Sequence, residues 1–400
     1  MSSALSTERL ARWRARLAAH VERGAVPGVV ALLTRRDDTH VEVIGAQQVG
    51  GAPMRRDTIF RITSMTKPVT AAAAMILIEE GKLRLDEPVD RLLPELANRR
   101  VLTRLDAPLS ETVPARRAIT VRDLLTFRLG FGQIMAPPED YPVAKAGIDL
   151  MIGMGPPEPA RMPPPDEWLR RLGTLPLMHH PGEGWMYNTG ADILGVLIAR
   201  AADQPLETFL RDRLFEPLGM KDTGFFVPPD KQARLTAAYW TSLKDGTLAL
   251  HDDPTTGHWS RPPQMPMGGS GLVSTADDYG AFARMLLNKG HYGAVRLLSR
   301  PAVELMTTDQ LTRPQKVAAH FVPGFFDDQG WGFCLAVQTR RTGFGGTGRY
   351  GWAGGFGTSW ANDPTEELIG ILMTQASFTS PTPPSVHQDF WTMAYAAIDD

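Results

Sequence analysis

Cysteine is almost missing from this 400-residue chain, which carries one, Cys334. An intrachain disulfide is therefore excluded, and so is a cysteine-built zinc centre. Cys334 lies in the apolar run Trp331-Gly332-Phe333-Cys334-Leu335-Ala336-Val337 and reads as a buried structural thiol on a strand. Long apolar runs are missing too. A bilayer-crossing helix takes about 20 apolar residues, and Ala71 to Ile78 is cut off by Glu79-Glu80. The N-terminal stretch has no continuous apolar core of the signal-peptide kind. An excess of one charge is also absent: 42 Lys and Arg stand against 44 Asp and Glu, a net charge of −2. That balance argues against a nucleic-acid or membrane partner. The expectation is a cytoplasmic protein.

Three chemical signatures are lacking as well. The nine histidines are scattered, His179-His180 is the one adjacent pair, and there is no H-E-x-x-H or Cys/His cluster, so no metal is expected. There is no G-x-S-x-G nucleophile elbow; Gly269-Ser270-Gly271 is a partial match. Gly343-Phe344-Gly345-Gly346-Thr347-Gly348 fits G-x-G-x-x-G, but no helix pattern follows it, so it reads as a loop and no cofactor is expected.

What is present is a chain with 43% apolar and 22% charged residues, long enough for one large domain or two lobes. Leu10, Trp13, Leu17 and Val21 form a helical stripe after a Ser6/Thr7 cap, and the strand-like run Val29 to Leu33 follows. Strands are expected near 28–34 and 41–45, with a polar turn from Arg35 to Asp38. A helix through Ala71–Ile78 ends near Gly81, and residues 82–200 carry mainly helical patterns, such as Thr120 to Thr126. Strand patterns return at 333–338, 358–362 and 368–374, and a helix near 386–398 follows. Strands at both ends with helices between them suggest an α+β fold whose sheet draws on both ends of the chain. Residues 133–167 are rich in proline and methionine (Pro137-Pro138, Pro163-Pro164-Pro165, Met135, Met151, Met154, Met162). They read either as a lid or wall of a pocket or as a packed surface excursion.

The densest chemistry is Ser64-Met65-Thr66-Lys67, set where the sequence turns helical. Positions i and i+3 share a helix face, so the lysine amine can sit beside the serine oxygen. A serine hydroxyl becomes a nucleophile once a neighbour takes its proton. A lysine does this when its surroundings disfavour the ammonium. The helix start adds free N–H groups that suit an oxyanion.

This stretch resembles the first motif of the serine β-lactamase and penicillin-binding-protein superfamily, most closely the class C β-lactamases and the family VIII carboxylesterases. Pro181-Gly182-Glu183-Gly184-Trp185-Met186-Tyr187-Asn188-Thr189-Gly190-Ala191-Asp192 resembles the segment around the family's catalytic tyrosine. Class C enzymes have Tyr-x-Asn there; here Asn188 is displaced by one position. Gly351-Trp352-Ala353-Gly354-Gly355-Phe356 occupies the place of the third motif, with Trp352 where β-lactamases have lysine, as family VIII esterases often do. Arg213–Thr223 and Gly268–Tyr279 resemble further superfamily links and read as structural.

The resemblance implies a β-lactamase-like fold: an antiparallel sheet flanked by helices, a helical lobe, and a site between them. It assigns 1–80 and 201–400 to the sheet domain and 81–200 to the helical one. It implies Ser64 as nucleophile, Lys67 and Tyr187 as the proton-handling pair, and the N–H groups of Ser64 and Gly355 as the oxyanion hole. Trp352, Ala353, Gly354, Asn188 and Thr189 would contact substrate. Tryptophan supplies no cation for a substrate carboxylate, unless Arg340, Arg341 or Arg349 compensates. The expected partner is a small neutral ester, cleaved through an acyl-enzyme. An acyltransferase with the same residues, a weak β-lactamase or D-aminopeptidase, and a non-catalytic binding relative are the alternatives.

Overall fold

Val29, Ala31 and Leu33 are buried in one apolar cluster, while Val30 and Leu32 are buried in another. Successive residues of a strand point to opposite faces, so this strand is covered on both sides. The computed structural model describes residues 4–319, 321–380 and 382–399. Its main sheet has seven antiparallel strands. In chain order they are β1 (Gly28–Arg35), β2 (Asp38–Gly45), β3 (Gln329–Trp331), β4 (Ala336–Gln338), β5 (Tyr350–Gly354), β6 (Thr358–Asp363) and β7 (Leu368–Met373). The spatial order is β3-β4-β5-β6-β7-β1-β2. The two ends of the chain meet where β1 pairs with β7, with Val30 opposite Met373 and Arg35 opposite Leu368.

Helices cover both faces. Helix α1 (Thr7–Glu22) buries Trp13 and Leu17 on one side, packed with Phe390 and Ala394 of a C-terminal helix, Ser385–Ala396. The other face meets the helix Ala276–Leu287, whose Phe282 stands in the same cluster as Val30, Ile369 and Ile371. Behind it lies α2 (Thr66–Glu79), buried along its length from Thr66 to Leu77. Its four consecutive alanines are strong helix formers and leave room for close neighbours. Helix α3 (Thr189–Ala202) packs against α2. Gly268 is wedged between them: a Cβ there would lie 2.5 Å from the Ala191 carbonyl oxygen and 3.2 Å from Thr70 Cγ2.

Two expectations change. The run 333–338 is not one strand. The chain turns at 332–335, where Cys334 has φ 58, and β3 and β4 flank that turn. Apolar character there reflects burial of the turn, and burial pushes the Cys334 thiol well up from its ordinary range. Residues 82–200 are less helical than their patterning suggests. They contain a hairpin, Arg100–Leu102 with Thr112–Pro114, and long irregular stretches. Among the described residues no helix is long and apolar enough to cross a membrane, and no cluster of ligating side chains could hold a metal ion.

An ion pair anchors the chain just before Ser64. Arg61 and Asp252 are both buried, with Arg61 Nε donating to Asp252 Oδ2 at 2.6 Å, and Asp252 Oδ1 accepts the His258 N–H at 2.6 Å. Removing one partner strands a buried charge. Asp252→Ala is expected to lower stability by about 3–5 kcal/mol, read as an earlier urea-unfolding midpoint. A shift indistinguishable from that of a surface variant would mean that Arg61 finds solvent or another partner.

Candidate active site

Ser64 sits in a tight turn, Thr63–Met65, that runs directly into α2. Thr63 has φ 40, in the left-handed region that β-branched residues avoid. Backbone strain is therefore concentrated one residue before Ser64. Tyr279, whose phenol burial keeps protonated, donates to the Met65 carbonyl at 2.9 Å and fixes the turn from behind.

Lys67 is fully buried. Its Nζ donates to Ser64 Oγ at 2.9 Å and to the Gly269 carbonyl at 2.7 Å, and lies 4.7 Å from the centre of the Tyr187 ring. Neighbouring α2 side chains hold the same glycine segment. Thr70 Oγ1 donates to the Gly268 carbonyl at 2.7 Å, and Thr66 Oγ1 accepts the Leu272 N–H at 3.1 Å. The link 268–279, which reads as structural in the sequence, therefore supplies a ligand to the lysine.

The counter-charge is Asp192, on α3 and 1% exposed. Its Oδ1 accepts the Gly269 N–H at 2.8 Å, and its Oδ2 has no hydrogen-bond partner among the described residues. Burial pushes its carboxyl up to about 6, opposed by the charge of Lys67 and by the Gly269 N–H. Gly269 thus connects the two: its N–H binds the carboxylate and its C=O binds the amine. Sequence reasoning missed Asp192. The signal was a carboxylate inside the apolar run Ala191-Asp192-Ile193-Leu194, where a charge needs a partner.

Tyr187 is buried in an aromatic box with Phe127, Trp185, Phe321 and Trp331. Its hydroxyl oxygen accepts the Trp352 Nε1–H at 2.8 Å. The sequence assigns Trp352 to substrate; the structure binds it to Tyr187.

Strand β5 brings the third motif to the Ser64 turn. A Cβ on Gly354 would lie 2.3 Å from the Ile62 carbonyl oxygen and 2.6 Å from Thr63 Oγ1, so only glycine lets the strand end press this close. Gly355 follows and is exposed. Its carbonyl accepts the Phe378 N–H at 2.9 Å. Strand β4 pairs with Tyr350 and Gly351 alone, leaving Trp352, Ala353 and Gly354 with one open edge.

Asn188 and Thr189 are buried where α3 begins, Asn188 with φ 82. Neither side chain is hydrogen-bonded to Ser64 or Lys67 among the described residues, and Thr189 Oγ1 has no partner. Two of the three arginines are engaged elsewhere. Arg349 lies over the Trp391 ring on the other face of the sheet, and Arg341 donates to the Gly343 and Phe344 carbonyls in its own loop. Arg340 stands beside it, its N–H donating to the Asp328 carbonyl. The glycine-rich loop 343–348 leads into β5, not into a helix.

Two predictions follow from this geometry. Trp352→Phe keeps the ring but removes the N–H on Tyr187, and kcat for p-nitrophenyl butyrate is expected to fall roughly tenfold or more; unchanged kcat would detach Tyr187 from the chemistry. The second concerns pH. With its folded pKa raised to about 6, Asp192 contributes stability below the ordinary carboxylate range that is lost as pH rises through 6. As pH falls through 6 the charge facing Lys67 disappears. The kcat/KM profile is expected to show an acidic limb there, and Asp192→Asn, which keeps an acceptor for Gly269, is expected to displace it. Superimposable profiles would show that Lys67 does not sense Asp192.

Comparison with known proteins places the chain in a family. The family model described as Beta-lactamase matches residues 13–388. Protein Rv1367c of Mycobacterium tuberculosis is 41% identical over 362 residues, 88% of this chain and 87% of that protein. Esterase EstB of Burkholderia gladioli is 30% identical over 374 residues, 88% of this chain and 86% of EstB. Among solved structures, "EstCE1, a hydrolase with promiscuous acyltransferase activity" superposes with a TM-score of 0.79 at 25% identity, covering 98% of both chains. The α+β arrangement is the β-lactamase-like fold. With the match running through nearly the whole chain, this protein belongs to the Beta-lactamase family.

Proposed function

We propose that this protein is a serine carboxylesterase of the family VIII kind, with Ser64 as nucleophile and Lys67 as its base. The observation that carries the reading is the 2.9 Å contact between Lys67 Nζ and Ser64 Oγ. With the lysine neutral, that contact runs the other way: the serine O–H donates and its proton passes to the amine as Oγ attacks the ester carbonyl. The N–H groups of Ser64 and Gly355 take the oxyanion. Tyr187, its oxygen held by Trp352, delivers a proton to the departing alcohol. Water then enters, the same groups activate it, and the acid is released. The esterase EstB and the hydrolase EstCE1 among the relatives support this chemistry.

The substrate is a neutral ester. A β-lactam or a peptide carboxylate calls for a cation where Trp352 stands, and Arg349 and Arg341 are engaged elsewhere. Residues 81–200 act as the helical lobe, and 133–167 form the far wall of the cleft. Two contacts support that wall: Gln133 N–H donates to the Tyr187 carbonyl at 2.9 Å, and Gln133 Nε2 to the Gly153 carbonyl at 3.3 Å. Acyl transfer to an alcohol is the second reading, favoured by the activity printed for EstCE1; it uses the same acyl-enzyme.

The test is a parallel assay of p-nitrophenyl butyrate and a chromogenic cephalosporin with the parent and Ser64→Ala. Fast ester cleavage, lost in the variant, with slow or no cephalosporin opening is expected. Equal or faster cephalosporin opening would overturn the neutral-ester reading, and residual esterase activity in Ser64→Ala would overturn the nucleophile. Adding an alcohol acceptor and measuring new ester against free acid separates transfer from hydrolysis.

A further inference from the structure

The sheet carries a second cavity on the face turned away from Tyr187. Trp352 points to Tyr187, so by alternation its neighbours Gly351 and Ala353 face the other way. Their partners in register, Ala361 and Ser359 on β6 and Ala336 on β4, share that face. Five small residues in a row make a flat floor. Phe378, His387 and Trp391 stand over it, the last two one turn apart on the C-terminal helix. Arg349 completes the wall. The space enclosed is about 210 Å³.

Small residues alone would mark only loose packing. The polar atoms mark more. Ser359 is 5% exposed, yet its Oγ has no hydrogen-bond partner among the described residues. His387, 2% exposed, has an unpartnered Nε2, and Arg349 an unpartnered Nε. Native proteins leave few buried polar groups unpaired; Ser359 and Arg349 line this cavity, while His387 also lines a neighbouring one. The Arg349 guanidinium stacks 4.2 Å from the centre of the Trp391 ring and has no carboxylate within ion-pair distance among the described residues. Burial pushes His387 down to about 4, so its ring is neutral at pH 7 and Arg349 is the one positive charge on the wall.

We propose that this cavity is a binding site for a small monocarboxylate with a flat apolar body, such as an aryl acid. The body lies on the Gly351/Ala353/Ala361 floor beneath Trp391 and Phe378. The carboxylate takes a charge-assisted hydrogen bond from Arg349, and Ser359, opposite Ala353, underlies the far end of the body. The walls are tied to the turn that carries Gly355, because Phe378 N–H donates to the Gly355 carbonyl at 2.9 Å. The site is separate from the ester-cleaving one and does not depend on it.

The test is calorimetric titration of benzoate and, as the uncharged isostere, benzamide into parent, Ser64→Ala, Arg349→Gln and Ser359→Val proteins. Saturable 1:1 binding of benzoate is expected in the parent and unchanged in Ser64→Ala. It is expected to be weaker by roughly tenfold or more in Arg349→Gln, with benzamide weaker than benzoate. Ser359→Val fills the floor with a residue that strands tolerate, and so reports on the site even if Arg349→Gln fails to fold. No saturable binding would mean that the cavity holds water only. Binding that survives both Arg349→Gln and Ser359→Val, or that is altered in Ser64→Ala, would put benzoate elsewhere. Either result overturns the proposal.

Discussion

Everything at this site is arranged around one buried amine. A lysine removed from water must replace its hydration with fixed partners, and Lys67 has a serine oxygen, a glycine carbonyl, an aromatic face and the field of a buried carboxylate. They come from three stretches of chain, 64–67, 187–192 and 269, so the fold has to bring three segments to one point. The alanine-rich α2 allows this. Thin side chains along it let α3 and the 268–272 segment approach closely, and glycines at 268 and 269 remove the last obstruction.

Legibility in the sequence followed distance along the chain. Ser64 and Lys67 are three residues apart, and helical periodicity alone places them together. Strands β1, β2, β6 and β7 and the first and last helices were legible for the same reason, since their apolar patterns repeat locally. Tyr187 and Gly355 came from motif resemblance. The Trp352–Tyr187 bond joins residues 165 apart, and nothing local in either segment indicates it. Asp192 stood within a quoted motif, but its meaning depends on Gly269, another long-range partner. The turn at Cys334 was misread for a different reason. A positive φ at a non-glycine residue is enforced by packing, and an apolar run reads the same whether it extends or turns.

The tryptophan at position 352 changes two things at once. It removes a positive charge from the cleft, and it gives the phenol a short, directional neutral donor in its place. Aromatic rings crowd the same region, Phe321 against Tyr187 and Phe325 and Trp331 against Trp352. On the proposed reading, proton handling stays internal to Ser64, Lys67 and Tyr187.

The central sheet joins strands from opposite ends of the chain, with β1 hydrogen-bonded along its length to β7. During synthesis β1 and β2 emerge early and can form only a hairpin. One whole edge of β1 stays unpaired until nearly all of the chain has been made. Both faces of that strand are apolar, so the waiting hairpin is sticky on each side as well as open along one edge. Pairings this distant in sequence form slowly, and the sheet closes only when β7 reaches β1.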